Sequence, residues 1–531
     1  MPADVADLIV VGSGAAGFAA ALTGRRADLD VLMLEKRDVL GGTTARSGTW
    51  LWIPNHRLMR EAGIDDPRAD AVNYLARLSR PDLHDPDDPL LGLPAAEHEM
   101  LCAFYDHASA ALDVLVDCGA IDPVMRREAP DYFAELPENA APYGRVVVSR
   151  GRERADQLTG REVIDDFTAA ATRLGVRIET GMRVTDVVRG EAGAVTGVVA
   201  VGPGGERQLT ASRGVVFATG GFTHADDLMR DFFGTPLRHG GAGAGSEGDF
   251  VRIAQRHGMR LHNMSAAWMA PIPIEPLLAD PEAFTTNIFA LRGDSMILVD
   301  ARGQRVVNEK LSYHELASEF LRWDPVSASY PSLRLFMVYD DPTARLFADG
   351  KSGNPLPLPG DDAPHVVSGD TFTELAQRLG ERLVSAGHDT SAGIRLSPSF
   401  AATLAETVAT FDADARDGVD RSFDRGGSPI ELFRNGPARQ GHGGNPALHP
   451  FADTGPYHAM ILAPGTLDTK GGPAIDPHGR VMSVDGGPID GLYAAGNCAG
   501  FPSGQAYWAG GATIGLAITF GYRAAEHAAR R

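Results

Sequence analysis

The run Leu8-Ile-Val-Val-Gly12-Ser13-Gly14-Ala15-Ala16-Gly17 constrains the fold more than any other stretch of this chain. Leu8 to Val11 reads as a buried parallel strand and Phe18 to Leu22 as the start of a helix. Between them Gly12, Gly14 and Gly17 have the G-x-G-x-x-G spacing. The first glycine permits a tight turn, the second lets backbone approach a pyrophosphate, and the third lets helix pack on strand. The helix N-terminus then offers free N–H groups to the phosphates. A second apolar strand, Val31 to Leu34, ends at Glu35-Lys36. That is about twenty residues after the turn, where an acid takes ribose hydroxyls. Together these segments predict an α/β, Rossmann-like domain that binds a dinucleotide.

The next stretch decides which dinucleotide. Gly41-Gly42-Thr43-Thr44-Ala45-Arg46-Ser47-Gly48 is a second glycine–hydroxyl run. A nicotinamide cofactor needs no such run there. A flavin does, because its pyrophosphate and ring extend past the first loop, and hydroxyls supply donors. FAD is therefore expected. The run contains no histidine, so binding is expected to be non-covalent.

A chain of 531 residues exceeds one simple core, so two or three domains are expected. Its net charge of -20 argues against nucleic acid or an anionic membrane as main partner. Cys102, Cys118 and Cys498 form no C-x-x-C, and no spacing fixes a metal site. No apolar run reaches membrane length and no basic leader is visible, so the cytoplasm is the expected location.

Thr49 to Pro54 is aromatic and apolar, suited to core or to one wall of an active site. Ala69 to Leu78 and Glu97 to Val116 show helical spacing and predict a helical cap over about 65–145, with a loop from Arg80 to Pro94. Pro130-Asp-Tyr132 lies in a turn-rich piece. Thr159 to Leu174 reads as a helix, followed by strands at Val176–Glu179, Gly181–Val188 (with Val184 taken as a cofactor neighbour) and Ala194–Val201. The strand from Gly214 ends in Thr219, Gly220 and Gly221, and ligands of doubly wound sheets lie at such ends. Asp249 is expected as an N-cap.

Prolines after Trp268 suggest a boundary. The expected division is a FAD-binding domain over 1–273 and 466–531, with an α+β catalytic domain inserted at 274–465. Strands are expected at Asp294–Val299, Arg305–Asn308 and Met337–Tyr339, and helices at Phe372–Leu383 and Ser397–Asp417. Phe423 to Pro450, with Arg425, Arg434, Arg439, His442 and His449, reads as long and irregular. Gly496 and Asn497 end a further strand. Gly511-Ala512-Thr513-Ile514-Gly515 opens a C-terminal helix whose dipole would stabilise negative charge on a reduced flavin.

These segments resemble the FAD-dependent family of fumarate reductases, succinate dehydrogenase flavoproteins and 3-ketosteroid dehydrogenases, over nearly the whole chain. The marks are Val11–Gly17, Glu35-Lys36, Gly41–Thr44, Ala218–Gly221, Thr469-Lys-Gly-Gly472, Gly491–Asn497 and Gly511–Gly515. Fumarate reductase-like members carry an arginine where Tyr313 follows Asn308-Glu309, and a histidine where Leu467 and Asp468 stand. Asp468 would repel a dicarboxylate. Tyr313, Tyr507 with Gly511, and Tyr132 instead match places in 3-ketosteroid Δ1-dehydrogenases.

That resemblance implies desaturation beside a ketone. Tyr507 O–H and Gly511 N–H would donate to the ketone oxygen as an oxyanion hole. Tyr313 would take the α-proton, helped by Tyr132 and a cationic or dipolar setting, and FAD N5 would accept the β-hydride. The expected substrate is a small hydrophobic ketone, a steroid first. Another cyclic ketone, a Δ4-dehydrogenation or an enoate reduction are the alternatives. No second nucleotide motif is present, so electrons are expected to leave to a quinone or similar external acceptor. Trp508 stands where steroid enzymes tend to have a small residue or proline, and a bulky indole there could narrow or reshape the pocket.

Overall fold

The computed structural model describes residues 4–151, 159–190, 193–237, 239–281, 288–351, 353–436, 438–439 and 444–531. His442 lies outside them. Two mixed α/β bodies are built on two separate sheets. The larger sheet runs in the order Arg480–Met482, Pro488–Ala494, Gly205–Phe217, Val5–Val11, Val31–Leu34, Arg177–Glu179. Its last five strands are parallel, and a hairpin, Arg183–Arg189 with Val195–Gly202, extends Gly205–Phe217.

Register explains why distant motifs meet. Val11 pairs with Leu34 and with Phe217, and Phe217 with Ala494. The residues after those partners are Gly12, Glu35, Ala218 and Ala495, so four loops leave one edge side by side. Leu8 to Val11 is buried between the strands Val31–Leu34 and Gly205–Phe217 and against helix Ala15–Arg26, which itself packs on Ala512–Ala529. Gly17 permits that packing, since a Cβ there would lie 2.0 Å from the Gly12 carbonyl oxygen.

The cap consists of helices Arg57–Glu61, Arg68–Ser79 and Ala95–Asp117 on a small antiparallel sheet, Leu51–Trp52, Val146–Ser149 and Pro123–Met125. At its centre Arg145 is fully buried, pairing with Asp66 at 2.7 Å and Asp131 at 2.5 Å. Trp52 Nε1 also donates to Asp131, at 2.6 Å. This fixes the residue before Tyr132.

The second sheet is antiparallel, ordered Ala267–Pro273, Tyr457–Thr469, Leu335–Asp340, Met296–Val299, with Val367–Gly369 on the long second strand. Helices Phe372–Ser385 and Phe400–Asp417 cover one face, and Phe320, Met337 and Met460 help fill the other. This sheet takes in Ala267–Pro273 and residues 466–469, beyond the bounds expected for the inserted body.

Several local expectations need correction. Arg305–Asn308 is not a strand; only Arg305 bridges to Val299, because the segment turns so that Glu309 can meet Arg305 at 2.7 Å. The strand before Thr219 ends at Phe217, and the first helix begins at Ala15. Asp249 is the first helical residue after the N-cap Gly248, and its carboxylate takes Lys36 Nζ at 2.8 Å. The segment 423–450 is not wholly irregular, for Pro429–Asn435 is a helix. No described helix is long and apolar enough to cross a membrane.

Candidate active site

A cavity of about 570 Å³ opens where the parallel strands end and reaches under the cap and the second sheet. Two helix N-termini face it, those after Gly14 and Gly511, and neither has a side-chain cap. Ala15 N donates to Thr44 Oγ1 at 3.1 Å and Ala512 N to the Ala509 carbonyl at 3.2 Å; the amides that follow have no capping side chain, and the positive end of the dipole lies behind them. Glu35 lies at the edge, accepting from Ser13 N at 3.1 Å, Ser13 Oγ at 2.6 Å and Arg37 N at 2.9 Å. A carboxylate has about four acceptor sites, so capacity for a hydroxyl remains. Gly42 and Gly48 line the cavity where a Cβ would meet nothing within 4 Å, leaving open space over the Gly41–Gly48 loop. These residues fit a flavin dinucleotide: amides for phosphates, an acid for ribose, and room beyond.

Most of the expected cofactor residues meet here. Gly12, Ser13, Gly14, Ala15, Ala16, Glu35, Lys36, Gly42, Thr43, Thr44, Ser47, Gly48, Val184, Thr219, Gly220, Gly496, Asn497, Thr513 and Ile514 line the cavity. Gly17, Gly41, Gly221 and Ala512 do not. Gly41 bends the loop at φ +110°, Gly221 lies against Asp468 and Thr469, and Ala512 is buried in the helix. Lys36 lines the wall but is held by Glu247 and Asp249, each at 2.8 Å. No histidine or cysteine is among the described lining residues.

At the far end Tyr132, Tyr313 and Tyr507 converge from the cap, the second body and the loop before the last helix. Their ring centroids are 5.6 Å (132–313), 5.4 Å (132–507) and 5.5 Å (313–507) apart, all edge to face. Each comes from a different mechanical origin. Tyr132 N donates to the Trp508 carbonyl at 3.1 Å. Tyr313 opens the helix Tyr313–Glu319, capped by Ser312. Tyr507 lies beside Trp268, with centroids 4.8 Å apart. The Tyr132 hydroxyl is buried without a hydrogen-bond partner.

Burial raises the pKa of all three phenols, Tyr313 well above the usual tyrosine range. Tyr132 and Tyr507 raise Tyr313 further, whereas Arg434 pulls it down. The Arg434 guanidinium lies 4.6 Å from the Tyr313 ring centroid and 4.9 Å from that of Tyr132. At Tyr507 the Tyr313 and Thr513 hydroxyls, Arg434 and the Gly511 amide all oppose burial. A ligand oxygen beside Tyr507 and Gly511 would thus find both donors, with a phenol opposite.

Trp50, from the aromatic segment offered as core or wall, lines the cavity; sequence reasoning missed Arg434, Trp268, Phe289 and Phe433 as cavity walls. Two further residues are placed by their packing and hydrogen bonds. Trp508 does not narrow the cavity: it is fully buried in the cap interface against Phe104 and Trp52, with centroids 5.8 and 6.1 Å away. Asp468 is a clasp, taking Gly221 N at 3.0 Å, Thr223 Oγ1 at 2.9 Å and Ser246 Oγ at 3.0 Å.

A family model described as FAD binding domain matches residues 7–514. The chain is 29% identical to a 4-oxocyclohexanecarboxylate 2-dehydrogenase of Sinomonas cyclohexanicum, over 98% of this chain and 92% of that protein. It is 29% identical to a 3-oxosteroid 1-dehydrogenase of Mycobacterium tuberculosis, over 98% of each. The solved 3-ketosteroid delta1-dehydrogenase of Sterolibacterium denitrificans, in complex with 1,4-androstadiene-3,17-dione, matches with a TM-score of 0.83 at 26% identity. That match covers 99% of this chain and 100% of the other. With a parallel-strand edge, uncapped helix starts and a family match over nearly its whole length, the chain belongs to the FAD binding domain family.

Proposed function

We propose that this chain is an FAD-dependent dehydrogenase that introduces a carbon–carbon double bond beside the carbonyl of a cyclic ketone, with 3-oxosteroids as the first candidate substrates. The observation that carries this reading is the triangle of tyrosines closing the cavity beside the start of the last helix. The names of the relatives agree on one feature, a ring ketone that loses hydrogen.

In this reading Tyr507 O–H and Gly511 N–H bind the ketone oxygen and stabilise the charge it gains, as an oxyanion hole does. Tyr313 as phenolate takes the proton from the α-carbon. A free tyrosine has a pKa of about 10, and burial moves Tyr313 the wrong way, so the base depends on Arg434 beside it. Tyr132 closes the pocket behind both phenols. Bound FAD supplies the two-electron acceptor for the β-hydrogen, which leaves as hydride. The body built on the second sheet, from Ala267 to Thr469, acts as the substrate lobe. An external quinone-type acceptor takes the electrons afterwards.

The test is anaerobic mixing of the flavin-loaded protein with a 3-oxosteroid or a simple cyclohexanone, without nicotinamide. Bleaching of the flavin band with formation of the enone is the expected result. No bleaching by any ring ketone, together with oxidation of dye-reduced flavin by fumarate or another enoate, would replace this reading with a reductase.

A further inference from the structure

The tyrosine end of the cavity holds a guanidinium that lies over the Tyr313 ring and has an edge that the desaturation of a neutral ketone leaves unused. Among the described residues three acids line the cavity, Glu35, Asp249 and Asp468, and each is committed near the dinucleotide loops. Around the phenols the charged lining residues are Arg126, Arg292 and Arg434. Arg126 lies 5.4 Å from the Trp50 ring centroid and also pairs with Glu128, while Arg292 pairs with Asp349 at 3.1 Å. Arg434 differs from both. Among the described residues no carboxylate meets it: Nη1 donates to the Phe289 carbonyl, the Tyr132 hydroxyl is its other polar neighbour, and its Nε is buried without a partner. A cation whose edge is withdrawn from water needs an anion to offset desolvation. The planar fork of arginine suits a carboxylate, and its face is already turned to the Tyr132 and Tyr313 rings.

We propose that the missing anion arrives with the substrate: the ring ketone carries a carboxylate, which the edge of Arg434 binds. The inference rests on the ketone reading above. It selects among ketones by charge, and two sources share the chemistry: a compact oxo-cyclohexane acid and a 3-oxosteroid with an acidic side chain.

The experiment titrates the anaerobic holoprotein while following the flavin spectrum. The ligands are 4-oxocyclohexanecarboxylate and its methyl ester, a 3-oxosteroid side-chain carboxylate and its methyl ester, and cyclohexanecarboxylate, which has the anion but no ketone. At least one acid should bind about tenfold or more tightly than its ester, as expected for a charge-assisted contact. Whichever pair shows the gap identifies the source. In Arg434→Gln the gap should close, and Arg434→Lys should restore part of it. Equal binding of acid and ester to the unmodified protein overturns the proposal, and needs no variant to fold. So does equal weakening of acid and ester in Arg434→Gln, which would leave the guanidinium serving the tyrosine alone. Tight Arg434-dependent binding of cyclohexanecarboxylate with no bleaching by any ketone would uphold the anion site and overturn the dehydrogenase reading instead.

Discussion

The Lys470 ammonium donates to the Ala506 carbonyl at 2.6 Å, one residue before Tyr507. The same ammonium lies 4.0 Å from the Trp268 ring centroid, and Trp268 lies against Tyr507. Burial holds the Lys470 pKa well below the usual lysine range. The preceding carbonyl, Gln505, accepts from His314 Nε2, and the carbonyl after Tyr507 accepts from Tyr74 Oη at 2.7 Å. Tyr507 is therefore aimed by groups from three parts of the fold. Lys470→Met should lower kcat by about 10²-fold, the scale of an ångström-level misplacement, with KM and flavin content changing far less. Steady-state kinetics and flavin absorbance check this; Lys470→Arg should recover part of kcat.

His314 also sets a pH dependence. Its Nδ1 accepts from Met269 N at 3.1 Å while Nε2 donates, so the neutral ring is the one that fits. Burial lowers its pKa to about 3 from 6.5. Between those values the unfolded chain binds the proton and the folded chain refuses it, so this contribution is present above about pH 6.5 and lost as pH falls. Glu315, raised to about 7 by burial, acts in the opposite sense, so the comparison must be with a variant. Relative to His314→Gln, the unmodified protein should lose stability on acidification at up to about 1.4 kcal/mol per pH unit, measured by denaturant unfolding at several pH values.

The cap depends on one buried cation. Arg145 satisfies Asp66, Asp131 and Asn139, and lies over the Trp52 and Tyr74 rings at 5.3 and 5.7 Å. Arg145→Met leaves two buried carboxylates without their counter-charge, and should cost about 3–5 kcal/mol. A matched drop in melting temperature, with faster proteolysis of the cap, is the expected readout.

Gly511 caps the last helix at φ +94°, and a Cβ there would lie 2.6 Å from the Trp50 carbonyl. Gly511→Ala must shift either the Trp50 backbone or the amide itself. Loss of one oxyanion donor costs about 10²–10³ in kcat, and Gly511→Ala should fall in that range. The measurement is enone formation under saturating ketone.

The sequence was most legible where backbone rules decide. Gly12, Gly14, Gly17 and Glu35 allow one arrangement of strand, turn, helix and strand, and register brings Thr219 and Asn497 to the same edge. The three tyrosines were legible only through resemblance, because no spacing links residues 132, 313 and 507. Arg434 was illegible for a different reason. Its helix is seven residues long, too short for a periodic apolar face to stand out in a glycine-rich segment. A signal was present all the same. Ser428-Pro429-Ile430-Glu431 has a capping residue, proline at the first helical position and an acid three residues on, and Ser428 Oγ donates to Glu431 at 3.1 Å. The place of Trp508 was open in the sequence because adjacency to Tyr507 does not say which way a loop side chain turns; the cap's Trp52 and Phe104 decide that.

The most direct test of the account is the rate of anaerobic flavin bleaching by a ring ketone in Tyr313→Phe, compared with the unmodified protein at equal flavin content. The phenyl ring keeps the 5.6 and 5.5 Å packing against Tyr132 and Tyr507 but offers no oxygen to take a proton. The account predicts bleaching slowed by about 10²–10⁴-fold, the range of general-base contributions, with ketone binding retained. Bleaching at the unmodified rate would contradict it, and the α-proton would then have to go to another group.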